Sequence, residues 1–106
     1  MTTSIREIKE SPIEVGIDER PVFSLTTTPW GSSPSSISVA AYKFDEGAYT
    51  DVTATVFPIN LPTANGDVVT LSPLTPAASG DEYRIDIKFT VSGSVLEAYA
   101  RVFVRR

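Results

Sequence analysis

The sequence predicts a single all-β domain in which two antiparallel sheets pack as a sandwich with Greek-key connections. Three observations lead to this fold class. Eight prolines and six glycines recur at short intervals, apolar residues alternate with polar ones instead of following a helical period, and candidate strands recur about every 8–12 residues. The chain has 106 residues, enough for one modest hydrophobic core, so we expect residues 1–106 to form one domain. A small closed barrel is the alternative all-β architecture.

The C-terminal part of the chain holds the clearest strand pattern. From Tyr83 to Val91 the odd-numbered residues are apolar or aromatic and the even-numbered residues are polar, as in a strand with one buried face. Ser92-Gly93-Ser94 predicts a tight turn, after which residues 95–104 return as the hairpin partner. On that partner the even-numbered residues are apolar, so its outward residues are predicted to be Glu97, Tyr99, Arg101 and Phe103.

Shorter strands are predicted before this hairpin. Alternation and turn residues place them at 21–27, 37–45, 49–56 and 68–71. Residues 58–67 and 72–80 contain prolines and glycines and are predicted to be loops. Residues 1–19 are predicted as an N-terminal edge-strand arm, with short strands at 5–8 and 13–17.

The segment Leu74-Thr-Pro-Ala-Ala-Ser-Gly-Asp-Glu-Tyr-Arg-Ile85 resembles the corner that precedes the penultimate strand of immunoglobulin-like and fibronectin type III domains. In those domains a tyrosine hydroxyl bonds to a backbone group a few residues upstream, and the resemblance gives that part to Tyr83. It implies an immunoglobulin-like antiparallel sandwich of about seven to nine strands with Greek-key links. The chain departs from the antibody pattern because it has no cysteine pair and because Trp30 precedes strand 37–45. Such a sandwich hosts many functions, so the resemblance implies no particular one.

Three other segments carry a second resemblance. They are Ile5-Arg-Glu-Ile-Lys-Glu-Ser-Pro12, Thr26-Thr-Thr-Pro-Trp-Gly-Ser-Ser-Pro34 and Glu97-Ala-Tyr-Ala-Arg-Val102. Together they look like small proteins encoded in the structural-gene clusters of phages and prophages. The resemblance implies a virion setting and assigns no catalytic residue.

The composition excludes most enzyme chemistry. The sequence has neither histidine nor cysteine, which removes Ser–His triads, thiol nucleophiles and the usual zinc sites. We therefore expect no enzyme, no cofactor and no metal. The carboxylate pairs at 18–19, 45–46 and 81–82 fall at predicted turns, where solvation explains them and calcium binding is the alternative. A glycosidase pair would need a cleft for which a small sandwich has little room.

Charge and hydropathy argue against two further classes of partner. Nine basic residues against thirteen acidic ones give a net charge of -4, with no basic stripe that would bind nucleic acid. No apolar run is long enough for a signal peptide or a membrane span. These observations predict no nucleic-acid or membrane partner and a product assembled in the host cytoplasm.

Outward aromatic residues are the candidates for a protein contact. Tyr99 and Phe103 flank Arg101 on the last strand, and Arg105 and Arg106 add positive charge beyond them. Tyr42 and Phe44 form a similar pair on strand 37–45. Trp30 lies in a loop of Pro, Gly and Ser, where it either makes a contact or covers one end of the sandwich as a lid.

We therefore predict a non-enzymatic structural or accessory protein of a bacteriophage-like particle, located in the virion. Its role would be capsid decoration, head–tail joining or a part of the tail. The expected partners are other virion proteins of the capsid, connector or tail, with further copies of the chain as an additional candidate. The alternative is a stand-alone carbohydrate- or receptor-binding module, in which the aromatic residues would stack on a ligand.

Overall fold

The computed structural model describes residues 5–7, 13–28, 31, 33–91 and 93–105. Within these residues the chain forms nine strands and one short helix. In chain order they are β1 (Ile5–Glu7), β2 (Ile13–Gly16), β3 (Ser24–Thr26), β4 (Ser35–Asp45), β5 (Ala48–Asp51), α1 (Thr53–Val56), β6 (Thr63–Asn65), β7 (Val68–Thr70), β8 (Glu82–Val91) and β9 (Ser94–Arg105).

The strands form two sheets. The larger sheet has the order β1-β9-β8-β4-β5, and β2 also pairs with β9. Both N-terminal strands run parallel to β9, β1 beside its first half and β2 beside its second half. The smaller sheet has the order β3-β7-β6. Two separate sheets make a sandwich and not the closed barrel that was the alternative.

The core lies between the sheets and is built mainly by the C-terminal hairpin. The odd-numbered residues of β8 are each at most 2% exposed, and the even-numbered residues of β9 from Leu96 to Val104 are buried as well. This burial confirms the period-2 prediction for both strands. The smaller sheet contributes Leu25 and Val69, and Phe57 and Leu74 reach the same cluster from the connecting segments.

The predicted tyrosine corner is present. The Tyr83 hydroxyl accepts a hydrogen bond from the Ala77 N–H at 3.0 Å and donates one to Asp81 Oδ2 at 2.8 Å. These bonds tie the 71–81 crossover, which passes from the smaller to the larger sheet, to the start of β8. With this corner and the strand order, the chain adopts an immunoglobulin-like β-sandwich.

The strand predicted at residues 49–56 is shorter in the structure. The strand ends at Asp51 and continues as helix α1. The Asp51 carboxylate accepts bonds from the Thr53 N–H at 2.9 Å and the Thr53 hydroxyl at 2.7 Å, and the same hydroxyl oxygen accepts the Ala41 N–H at 2.9 Å. These bonds turn the chain away from the sheet edge, so that Val56 becomes fully buried.

Two other strand predictions need correction. The segment 58–67, predicted as a loop, contains β6, which pairs with β7 across a turn at Gly66. Gly66 has φ +61°, a conformation that glycine adopts without strain. The strand predicted at 21–27 is shorter, covering only Ser24–Thr26.

Candidate functional site

The outward surface of the larger sheet is the candidate site, and we call it the outer face. It is formed by the side chains of β4, β5, β8 and β9 that point away from the core. The sequence has ten aromatic residues in all, and the outer face holds five of them among alternating charges. Its members are Ser38, Ala40, Tyr42, Phe44, Tyr49, Glu82, Arg84, Asp86, Lys88, Glu97, Tyr99, Arg101 and Phe103.

The predicted contact residues of the last strand all point outward. Phe103 is 41% exposed, Arg101 and Arg105 are exposed, and Tyr99 is half-buried. Trp30 and Arg106 lie outside the described residues. The structure therefore brings three of the six candidates together on the outer face, with Arg105 at its end. Their part in a contact stays a prediction.

A charged and aromatic cluster occupies the middle of the outer face. Asp86 and Tyr99 are direct neighbours across β8 and β9. Arg84 Nε donates to Asp86 Oδ1 at 2.7 Å, and the Arg84 guanidinium carbon lies 4.3 Å from the centre of the Tyr99 ring. Burial acts to lower the pKa of Arg84, but the hydrogen bond to Asp86 and its charge raise the pKa overall. The cluster therefore presents a fixed positive charge with a carboxylate and a ring held beside it.

The end of the outer face near the β4–β5 hairpin is more apolar. The rings of Phe44 and Tyr49 lie 5.2 Å apart at an angle of 56°, which is a favourable tilted packing of two aromatic rings. Both side chains are at least 40% exposed. They thus form an accessible apolar corner beside the charged middle.

A shallow depression of about 330 Å³ lies at the other edge of the same end. Glu14, Glu82, Arg101 and Phe103 are among the residues that line it. Glu14 also lies 4.0 Å from Arg105, an ion pair between two exposed side chains. Pairs of this kind contribute little to stability. Because both side chains are exposed, both charges remain accessible to a partner.

Several members of the outer face were missed from sequence. Arg84, Asp86 and Tyr49 were not among the predicted contact residues. Alternation along β8 already placed Arg84 and Asp86 outward, and the predicted hairpin placed them beside the last strand. Combining the two predictions would have identified the cluster around Tyr99.

In two of the three carboxylate pairs, contacts within the chain account for the position of one carboxylate. Asp81 accepts the Tyr83 hydroxyl and lies 3.4 Å from the Lys43 amine. The Glu19 carboxylate accepts the Gly16 N–H within a turn. Among the described residues, no three acidic side chains gather in a way that could hold a metal ion.

The outer face carries side chains that are typical of protein contact surfaces. Aromatic residues and arginine are the side chains most enriched in protein–protein interfaces.

In the described part of the chain no helix is long and apolar enough to cross a membrane. Comparisons with protein-family models and with curated proteins found no match.

Proposed function

We propose that this protein is a non-enzymatic structural or accessory component of a phage-like particle and that it works through protein contacts made by its outer face. Within the particle its role is capsid decoration, head–tail joining or a part of the tail. The observation that carries the proposal is the concentration of aromatic and arginine side chains on one outward sheet surface. The virion setting rests on the resemblance of three sequence segments to proteins from phage structural-gene clusters.

The absence of histidine and cysteine from the sequence supports a binding role. Without these residues, serine and threonine lack their usual activating base and the chain has no thiol nucleophile. Many identical weak contacts in a symmetric lattice add up through multivalency. A rigid sandwich with one contact surface suits that arrangement.

The ring geometry favours a protein over a sugar as the partner. Stacking on a sugar requires an accessible ring face, whereas the Arg84 guanidinium already lies over the Tyr99 ring at 4.3 Å. Phe44 and Tyr49 are tilted against each other by 56° and do not form a flat platform. Aromatic and arginine side chains are instead the ones most enriched in protein–protein interfaces.

Cosedimentation tests the proposal. The purified chain is mixed with shells, connector rings and tail tubes assembled from phage structural proteins encoded in the same genome. We expect it to sediment with one of these assemblies. Phe103→Asp places a charge in the outer face, and we expect it to weaken that binding about tenfold or more.

Val22→Asp is the matched control, because Val22 is 54% exposed and precedes β3 of the smaller sheet. This variant should bind like the wild type. Binding to none of the assemblies would overturn the proposal. Saturable binding of the monomer to a glycan array, lost in Phe103→Asp, would replace it with the carbohydrate-binding alternative.

A further inference from the structure

The outward charges of β8 alternate in sign. Glu82, Arg84, Asp86 and Lys88 point outward in succession, so the strand presents the order negative, positive, negative, positive. When such a strand faces its own copy in the antiparallel direction, each charge meets one of opposite sign. Glu82 then faces Lys88 of the other copy, and Arg84 faces Asp86 of the other copy.

The neighbouring strands follow the same two-fold relation. Ile85 is paired with Ala100 on β9 and with Ala41 on β4. A two-fold axis that lies between two facing sheets and runs perpendicular to the strands at Ile85 therefore passes over all three positions. On β9 this axis places Tyr99 opposite Arg101 of the other copy. That pair sets an arginine beside an aromatic residue, two side chains that are enriched in protein interfaces.

Side-chain size is also complementary on β4. The axis places Tyr42 opposite Ala40 of the other copy and Phe44 opposite Ser38 of the other copy. A large ring therefore faces a small side chain in each case, which allows two sheets to approach without overlap of the rings. One operation produces these charge and size matches, and it also places Phe103 opposite Glu97 of the other copy, a pair without such a match.

The geometry points to a second copy of this chain as the occupant of the outer face, packed sheet against sheet around a two-fold axis at Ile85. This inference rests on the proposed function, because it uses the same contact surface. A two-fold interface pairs the same patch on both subunits, as the self-complementary order on β8 requires. Packed sheets cross at about 30°, which displaces positions three residues from the axis by about 5 Å, a distance that the long side chains of Glu82 and Lys88 span.

The size of the matched surface is typical of a weak contact. Seven residues along each of the three matched strands, β4, β8 and β9, span roughly 24 Å by 14 Å, from the usual strand rise and spacing. That patch is smaller than the roughly 800 Å² that each partner buries in a standard interface. We therefore expect a weak dimer with a dissociation constant of about 10–100 µM.

Charge reversal at the outer pair tests the inference. Sedimentation velocity of the purified full chain between about 5 and 500 µM should show a monomer–dimer equilibrium in the wild type. Glu82→Lys and Lys88→Glu each set like charges opposite each other, so each variant should dimerise at least about tenfold more weakly. An equimolar mixture of the two restores both opposite-charge pairs and should dimerise like the wild type.

Asp18→Lys is the control, because Asp18 is exposed in a turn outside the outer face; it should dimerise normally. The double variant Glu82→Lys/Lys88→Glu, which also restores the pairing, covers the case in which one single variant fails to fold. A wild type that stays monomeric to about 500 µM, or a mixture that stays monomeric, would overturn the inference. Cosedimentation with particle assemblies is a separate measurement, so loss of self-association alone leaves the proposed function standing.

Discussion

The tyrosine corner gives the sharpest stability prediction. Tyr83→Phe keeps the buried ring and removes only the hydroxyl. That hydroxyl accepts one backbone hydrogen bond at 3.0 Å and donates one to a carboxylate at 2.8 Å. A neutral hydrogen bond contributes about 1 kcal/mol and one to a charged group about 2 kcal/mol. We therefore expect the free energy of unfolding to fall by about 3 kcal/mol.

Urea denaturation and thermal melting measure this loss. For a domain of this size about 3 kcal/mol corresponds to a melting temperature lower by roughly 15 °C. Tyr49→Phe is the control, because Tyr49 is 49% exposed; its effect should stay within about 0.5 kcal/mol. A loss below about 0.5 kcal/mol in Tyr83→Phe would refute the view that the corner ties the crossover to β8.

Alkaline pH adds an independent test of the same corner. Burial, with the hydrogen bond to Asp81 and its negative charge, raises the pKa of Tyr83 to about 12. In the unfolded chain the phenol releases its proton near pH 10, so the native state alone holds it between about pH 10 and 12. The wild type should lose stability as the pH rises through this window. Tyr83→Phe should lose less over the same window, and equal losses would contradict the assignment.

Three further substitutions test local features of the fold. Gly31→Ala places a Cβ 2.8 Å from the Val91 Cβ at a φ of +153°, so we expect a loss of about 3 kcal/mol in urea denaturation. Gly47→Ala, with φ +81° and open space around its Cβ, should cost only about 1 kcal/mol. The backbone N–H of Thr53, followed by its hydroxyl, lowers the pKa of Asp51. Because its pKa is lowered, ionised Asp51 stabilises the fold above about pH 4, and this stabilisation is lost below that pH. The melting temperature of Asp51→Ala should therefore fall less than that of the wild type on acidification to about pH 3.

Local patterns were sufficient for the C-terminal hairpin and for the tyrosine corner. Alternation between Tyr83 and Val91 reports directly which side chains are buried, because successive side chains of a strand point to opposite faces. The corner was recognisable because its hydroxyl bonds to a residue only six positions away. Both features depend on residues that are close in sequence.

Features that depend on distant residues were predicted poorly. The early end of β5 follows from the bond between Thr53 and Ala41, twelve residues apart on different elements. The composition of Thr53-Ala-Thr-Val56 suits a strand as well as a helical turn, so local propensity could not decide between them. Strand β6 was missed because it shows no alternation, all three of its residues being exposed.

The sequence by itself determined the all-β class, the inward and outward sides of the last two strands, and the lack of histidine and cysteine chemistry. Only the tertiary structure decided which strands are neighbours where no hairpin joins them. It set β4 beside β8 and the N-terminal strands beside β9, and so assembled the outer face from residues more than forty positions apart. Alternation fixes the side of a strand on which a residue lies, whereas strand order depends on how the whole core is buried.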